Sequence, residues 1–316
     1  MKVLVVGVNS AIARLVVDEL LGGGHEVVGI DLRGWEGAPI EVHAVDIRKR
    51  AAEDIFRKLR PDAVVHMGTV TSLTTVGEER YRVSLGGTRA VFDHCCAYGV
   101  AHCVFVGRHT YYGASSDSPL FHTEDEPPMA LASFPELGDF VAADLYAGNA
   151  LWRFPDLRTT VLRLCYTLGP SGHGTLGASL RGARIPTVLG FDPLFQFMHE
   201  KDGAAAIVRA LETRVCGVYN VGTRDPVPLS TLIRETGRQS IPLPEIVFMA
   251  ARGRFGVPGL PDGAINHMKY PVVVDGSAFA RRTDFTLRFS VTDAMADFLA
   301  AFPPPAPKRR WGGGAP

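Results

Sequence analysis

Apolar positions along the first thirty residues change period twice. Lys2–Val6 reads KVLVV, a continuous apolar run suited to a strand buried on both faces. Between residues 11 and 21 the apolar side chains Ile12, Leu15, Val16 and Leu20 return at helical spacing, and Gly22, Gly23 and Gly24 stop the helix. A second short apolar run ends at Asp31. The alternation continues, with strands expected at 40–45, 62–67, 102–106 and 159–165 and helices at 51–59, 78–98 and 140–154. Strands separated by single helices predict an α/β chain, a Rossmann-type doubly wound parallel sheet. After Gly169-Pro170 the pattern loosens and Gly and Pro become frequent, which predicts a first domain over 1–169 and a smaller C-terminal substrate domain over 170–302. A helix near 202–211 and a strand near 216–221 are expected to return to the first domain, within about 202–225. Residues 303–316 are too rich in Pro, Gly and charge to pack a core and predict a flexible tail.

Composition narrows the partners. The 316 residues carry 33 basic and 33 acidic side chains, and this balance argues against nucleic acid or an anionic membrane surface. No apolar run reaches the 18 residues that a bilayer span requires. Met1-Lys2 leads directly into a core strand, which predicts a cytoplasmic protein without a secretory signal. The cysteines Cys95, Cys96, Cys103, Cys165 and Cys216 are odd in number and lack CxxC spacing, as reduced thiols do. His94, Cys95, Cys96, His102 and Cys103 fit buried helix and strand positions better than metal ligands, so no metal site is expected.

The first turn carries the candidate chemistry. Gly7 ends the strand where the backbone must bend sharply, and the free N–H groups at Ser10 to Ile12 form the positive end of a helix. Asp31 stands at the tip of the second strand, where a carboxylate accepts hydrogen bonds from ribose hydroxyls. Strand, turn, helix and acid in this order predict a dinucleotide site, although Ser10 and Ala13 replace the later glycines of the usual pattern. Asp31 repels a 2′-phosphate and favours NAD; Arg14 and Arg33 are the residues that would serve NADP instead.

Ten ordered stretches resemble the extended short-chain dehydrogenase/reductase superfamily of the NAD-dependent epimerase/dehydratase type: GVNSAIA (7–13), VVGID (27–31), VDIR (45–48), VVHMG (64–68), SLGGT (84–88), YYG (111–113), TED (123–125), VLRLCYTLGP (161–170), MHEKD (198–202) and VYNVG (218–222). The resemblance implies NAD contacts at Gly7, Asn9, Ser10, Ala11, Ile12, Asp31, Leu32 and Arg33. It adds Asp46 and Ile47 beside the adenine and Met67, Gly68 and Thr69 along the cofactor, with Ser84, Gly107, Asp144, Leu164 and Tyr166 completing the set. Homodimers through the helices near 78–98 and 134–154 are common in such proteins, with Tyr146 and Trp152 as either contacts or core residues.

The resemblance also implies a catalytic Tyr four residues before a Lys. Here Phe140 and Asp144 stand at those places, and no lysine lies between Lys58 and Lys201. The Ser/Thr that steadies the substrate oxygen is replaced by Arg108, and a supporting Asn by Ser84. Phe195 and Gln196 occupy the place of an Arg-Asp pair that binds sugar diphosphates, which argues against a usual nucleotide sugar. The pocket is expected to hold Arg108, His109, Tyr111, His122, His173 and His199. Arg108 is suited to bind a carboxylate or phosphate, to steady an oxyanion, or simply to pair with Asp144. His109 is the expected proton carrier, because a free imidazole titrates near neutrality. Three readings follow: an enzyme acting on a small polar substrate through Arg108, His109 or Tyr111; a silent dinucleotide sensor or partner protein; and a scaffold without cofactor.

Overall fold

The computed structural model describes residues 1–70, 77–251, 253 and 261–304. The expected tail beyond residue 304, including Lys308-Arg309-Arg310, lies outside the described residues. Seven parallel strands form one sheet: β1 (Lys2–Val6), β2 (Glu26–Asp31), β3 (Glu41–Ala44), β4 (Ala63–His66), β5 (His102–Arg108), β6 (Arg158–Leu164) and a last strand Gly217–Val221. Their order is β3-β2-β1-β4-β5-β6 with Gly217–Val221 outermost, beside β6. The chain therefore winds outward from β1 in both directions, and the switch point falls between β1 and β4. Ligands in such sheets bind outside the carboxyl ends of the strands at that point.

Helices cover both faces. On one side lie α1 (Ala11–Gly22) and the later helix Glu200–Glu212, which bury Val16, Leu20, Ile207 and Leu211 against the sheet. On the other lie α2 (Arg50–Leu59), α3 (Gly77–Ala97) and the helix Gly138–Arg153, with Phe56, Val91, Phe92, Ala143 and Ala147 inside. Side chains of this size each contribute about 1.5–3 kcal/mol when fully buried, apart from the smaller alanines. Among the described residues no helix is long and apolar enough to cross a membrane. All five cysteines are free thiols.

Beyond β6, three short strand pairs build the rest of the molecule. Phe197–His199 runs parallel to Tyr166–Leu168, Gln239–Leu243 parallel to Arg184–Val188, and Val227–Pro228 antiparallel to Leu194–Phe195. They pack with the terminal helix Val291–Ala301 around Leu168, Phe197, Leu232 and Phe298. Gln196 ties this part together from a buried position, donating to Thr223 O and Val274 O and accepting from Val274 N.

Candidate active site at the carboxyl edge of the sheet

Gly7 is where the first turn becomes possible. Its φ is +85°, a conformation that costs other residues, and a Cβ there would lie 2.6 Å from both Cα and N of Gly68. The turns after β1 and β4 thus touch through backbone alone. Ser10 caps α1 by accepting from Ala13 N at 3.3 Å. The N–H groups of Ala11 and Ile12 have no protein acceptor among the described residues. Asp31 is half-buried at the end of β2, where it accepts from Asn9 N and Arg33 N, each at 3.0 Å. A glycine turn without a side chain, a helix start with orphan donors and an acceptor at the strand tip fit a pyrophosphate and its ribose.

Around the turn, Arg14 stacks on Trp35 at 4.7 Å and donates to Asn9 Oδ1, while Leu32 and Arg33 are exposed. Asp46 is held by Arg48 through a fork, with Nη2 donating to Oδ2 at 2.6 Å and Nε to Oδ1 at 2.9 Å. The Arg48 guanidinium beside it holds the Asp46 carboxyl below the usual carboxylate range. Ile47 is partly buried and its carbonyl accepts from His94.

The second turn, Met67-Gly68-Thr69-Val70, is fixed by three side chains. Gly68 N donates to His66 Nδ1 at 3.3 Å, so His66 Nε2 carries the proton and donates to Thr88 Oγ1 at 2.9 Å. Val70 N donates to Ser84 Oγ at 3.1 Å. Arg108 Nη2 donates to Thr69 Oγ1 at 3.1 Å and to Val70 O at 3.4 Å. Ser84 is fully buried, so it acts on the loop and not on a ligand. Sequence reading missed His66 altogether; a polar residue closing an otherwise apolar strand was the available signal.

At the end of β5 the expected candidates separate. The Arg108 guanidinium lies over the Phe140 ring, 4.8 Å from its centre. It is deep in the molecule yet only partly covered, and burial draws it down to about 10, still a cation at neutral pH. Asp144 is not its partner. Arg163 holds that carboxylate, with Nη2 donating to Oδ1 at 2.8 Å and Nε to Oδ1 and Oδ2 at 3.2 and 3.3 Å. The expectations that Asp144 reaches a ribose or pairs with Arg108 are therefore corrected: the carboxylate is fully buried and engaged within the core. Against the desolvation of burial, Asp144 raises Arg163 further and keeps it charged. Gly107 is also buried here, where a Cβ would meet Asp144 Oδ2 at 2.7 Å.

Tyr111 lies under the same guanidinium, 3.5 Å from ring centre to Arg163 Cζ. Arg163 Nη1 donates to Tyr112 Oη, which donates to Asn220 Oδ1 at 2.7 Å, and Asn220 Nδ2 donates to His122 O. His122 pairs with Glu126 at 2.6 Å and stacks on Tyr112. This network, Tyr112 and Asn220 included, was not foreseen.

His109 departs from its expected role. Its Nδ1 donates to Leu164 O at 3.1 Å, its ring meets Tyr166 edge-on at 4.3 Å, and burial holds it down at about 3. It is a neutral acceptor at physiological pH, not a proton carrier. Tyr166 stacks on Phe195 and is pushed up to about 12 by burial, against the pull of Arg108. With Phe195, Gln196, His267, Tyr270 and Val272 it lines a narrow cleft. His199 caps Glu200–Glu212 and meets Asp297, and His173 is exposed at the start of Gly174–Ser179, so neither is engaged at Arg108.

Residues 3–222 match the model of the NAD dependent epimerase/dehydratase family. The chain belongs to that family. An uncharacterised protein of Mycobacterium tuberculosis is 31% identical over 204 residues, covering 63% of this chain and 54% of its own length. This family member thus spans about half the length of the first curated relatives it matches. A 3-diazoavenalumate denitrifying reductase of Streptomyces is 27% identical over 243 residues, with 72% of this chain and 78% of that protein covered. In three dimensions the family member superposes on a UDP-glucose 4-epimerase of Thermus thermophilus, solved with NAD, at a TM-score of 0.76 and 21% identity, over 96% and 99% of the two chains. The corresponding enzyme of Bifidobacterium longum, solved with NAD+ and UDP, gives 0.76 at 19% identity over 95% and 98%. At such identities the likeness speaks for the fold.

Proposed function

We propose that the protein binds NAD across the carboxyl edge of its sheet and exchanges hydride with a small polar substrate without a tyrosine–lysine relay. The observation that carries this is the contrast between the two halves of the site. The Gly7 turn, the capped start of α1 and Asp31 are open to a dinucleotide, whereas Phe140 lies under Arg108 and Asp144 is locked to Arg163. Gly7, Asn9, Ser10, Ala11 and Ile12 would hold the pyrophosphate, Asp31 the adenosine ribose, and Met67 to Thr69 the nicotinamide half. NAD supplies the hydride acceptor, or NADH the donor, when bound. Arg108 would stabilise negative charge developing on the substrate, since it remains a cation at neutral pH. The neutral Tyr166 phenol and the His109 Nε2 acceptor border that position and would orient polar groups. Similarity to a protein named as a reductase accords with hydride chemistry. The domain division at 169/170 and a homodimer through α3 and Gly138–Arg153 belong to the same reading.

Incubation with stereospecifically deuterated NADH and a panel of small carbonyl compounds tests it. Transfer of deuterium from one face, lost in Arg108→Ala, is expected. NAD binding with no transfer to any compound would favour a silent dinucleotide sensor, a reading supported by the locked Asp144. For cofactor choice, Asp31→Ala is expected to weaken NAD and gain NADP affinity; no change in either would remove Asp31 from the site.

A further inference from the structure

Three guanidinium groups lie deep at this edge of the sheet, and two are neutralised internally. Arg80 Nη2 meets Asp139 Oδ1 at 2.9 Å, and Arg163 Nη2 meets Asp144 Oδ1 at 2.8 Å. Arg108 alone has no carboxylate within ion-pair distance among the described residues; its acceptors are the neutral Thr69 Oγ1 and Val70 O, both taken by Nη2. Its Nε and Nη1 groups have no protein acceptor there. A cation surrounded by protein carries a large desolvation cost unless an anion joins it. Unlike Arg80, Arg108 is reached from outside, being only partly covered, so that anion can come from solution.

From this we infer that the uncovered side of Arg108 is a recognition site for a carboxylate-bearing small molecule, with Arg108 as the residue that selects it. This deepens the proposed function and rests on the same place, beside Arg108, being the substrate site. Charge balance decides the class. One guanidinium neutralises a monoanion, whereas a phosphate dianion would leave a net negative charge with both other guanidiniums already committed. The anion is not the cofactor's pyrophosphate, because the Gly7 turn follows β1, two strands and roughly 10 Å away. The wall suits an organic acid: the Phe140 ring lies under the guanidinium and gives the anion an apolar neighbour.

Calorimetric titration with acetate against acetamide, benzoate against benzamide, and inorganic phosphate tests this, first on the protein alone and then after addition of saturating NAD. At least one carboxylate is expected to bind about tenfold or more tighter than its amide and tighter than phosphate. Arg108→Gln is expected to abolish that preference, and Arg108→Lys to retain part of it. Carboxylate and amide binding alike, phosphate binding tightest, or a preference that survives Arg108→Gln would overturn the assignment. The comparison of acid with amide on the unaltered protein stands even if the variant does not fold. Carboxylate preference without NAD heat would instead defeat the cofactor reading alone.

Discussion

Arg108 Cζ lies 4.8 Å from the centre of the Phe140 ring, a cation stacked on an aromatic face. The two side chains suit one another. A phenyl ring offers its face to a guanidinium and no proton to a substrate, and the guanidinium brings a positive charge to the same place. Arg108→Ala is expected to lower any turnover by about 10²–10³-fold and to leave NAD affinity nearly intact, read by steady-state kinetics and calorimetry. A collapse of NAD binding would assign Arg108 to the cofactor loop, through Thr69 and Val70, instead.

Asp144 is a core residue as this chain is built. Asp144→Asn leaves Arg163 buried without its counter-charge and is expected to cost about 3–5 kcal/mol in denaturant unfolding. Asp144→Lys sets a second cation against Arg163 and is expected to prevent folding. A well-folded Asp144→Lys protein would contradict the pairing.

The two turns respond differently to one added methyl. Gly7→Ala is expected to cost about 1–2 kcal/mol from its φ alone, and more from contact with Gly68 at 2.6 Å, with loss of NAD binding. At Gly68 the nearest atoms to a Cβ are side chains at 3.4 Å, so Gly68→Ala is expected to keep the fold and most of the binding. Equal effects at both positions in denaturation and titration experiments would argue against the backbone contact.

Acid should destabilise the protein early. His66 and His109 are held by burial at about 3, against about 6.5 in an unfolded chain. Between those values the unfolded chain binds more protons, so their contribution is complete above about pH 6.5 and falls away as pH drops toward 3. Each adds a slope of up to about 1.4 kcal/mol per pH unit. Protonated His66 Nδ1 also loses the bond from Gly68 N, which loosens the second turn. A urea midpoint that stays level between about pH 7 and 5 would count against this.

The fold was largely legible because burial sets the period of the apolar residues. The strand at Lys2–Val6 was read without error, the strand expected at 40–45 is Glu41–Ala44, and the helix expected at 78–98 is Gly77–Ala97. Turn geometry was legible too, since Gly7 bends the chain after β1 and Ser10 starts α1 through local backbone geometry. Partnerships between distant polar residues were not. Sequence offers Arg108 and Arg163 equally to Asp144, and only the packing of Gly138–Arg153 against β6 selects Arg163. Likewise nothing local to His109 reveals that its ring turns inward toward Leu164 O and Tyr166.

The most direct measurement is calorimetric titration of the purified protein with NAD and with NADP. Saturable binding of NAD below millimolar concentration, with NADP weaker, is expected from the Gly7 turn, the start of α1 and Asp31 acting together. No heat with either nucleotide up to millimolar concentration would contradict a dinucleotide site and leave the fold as a scaffold.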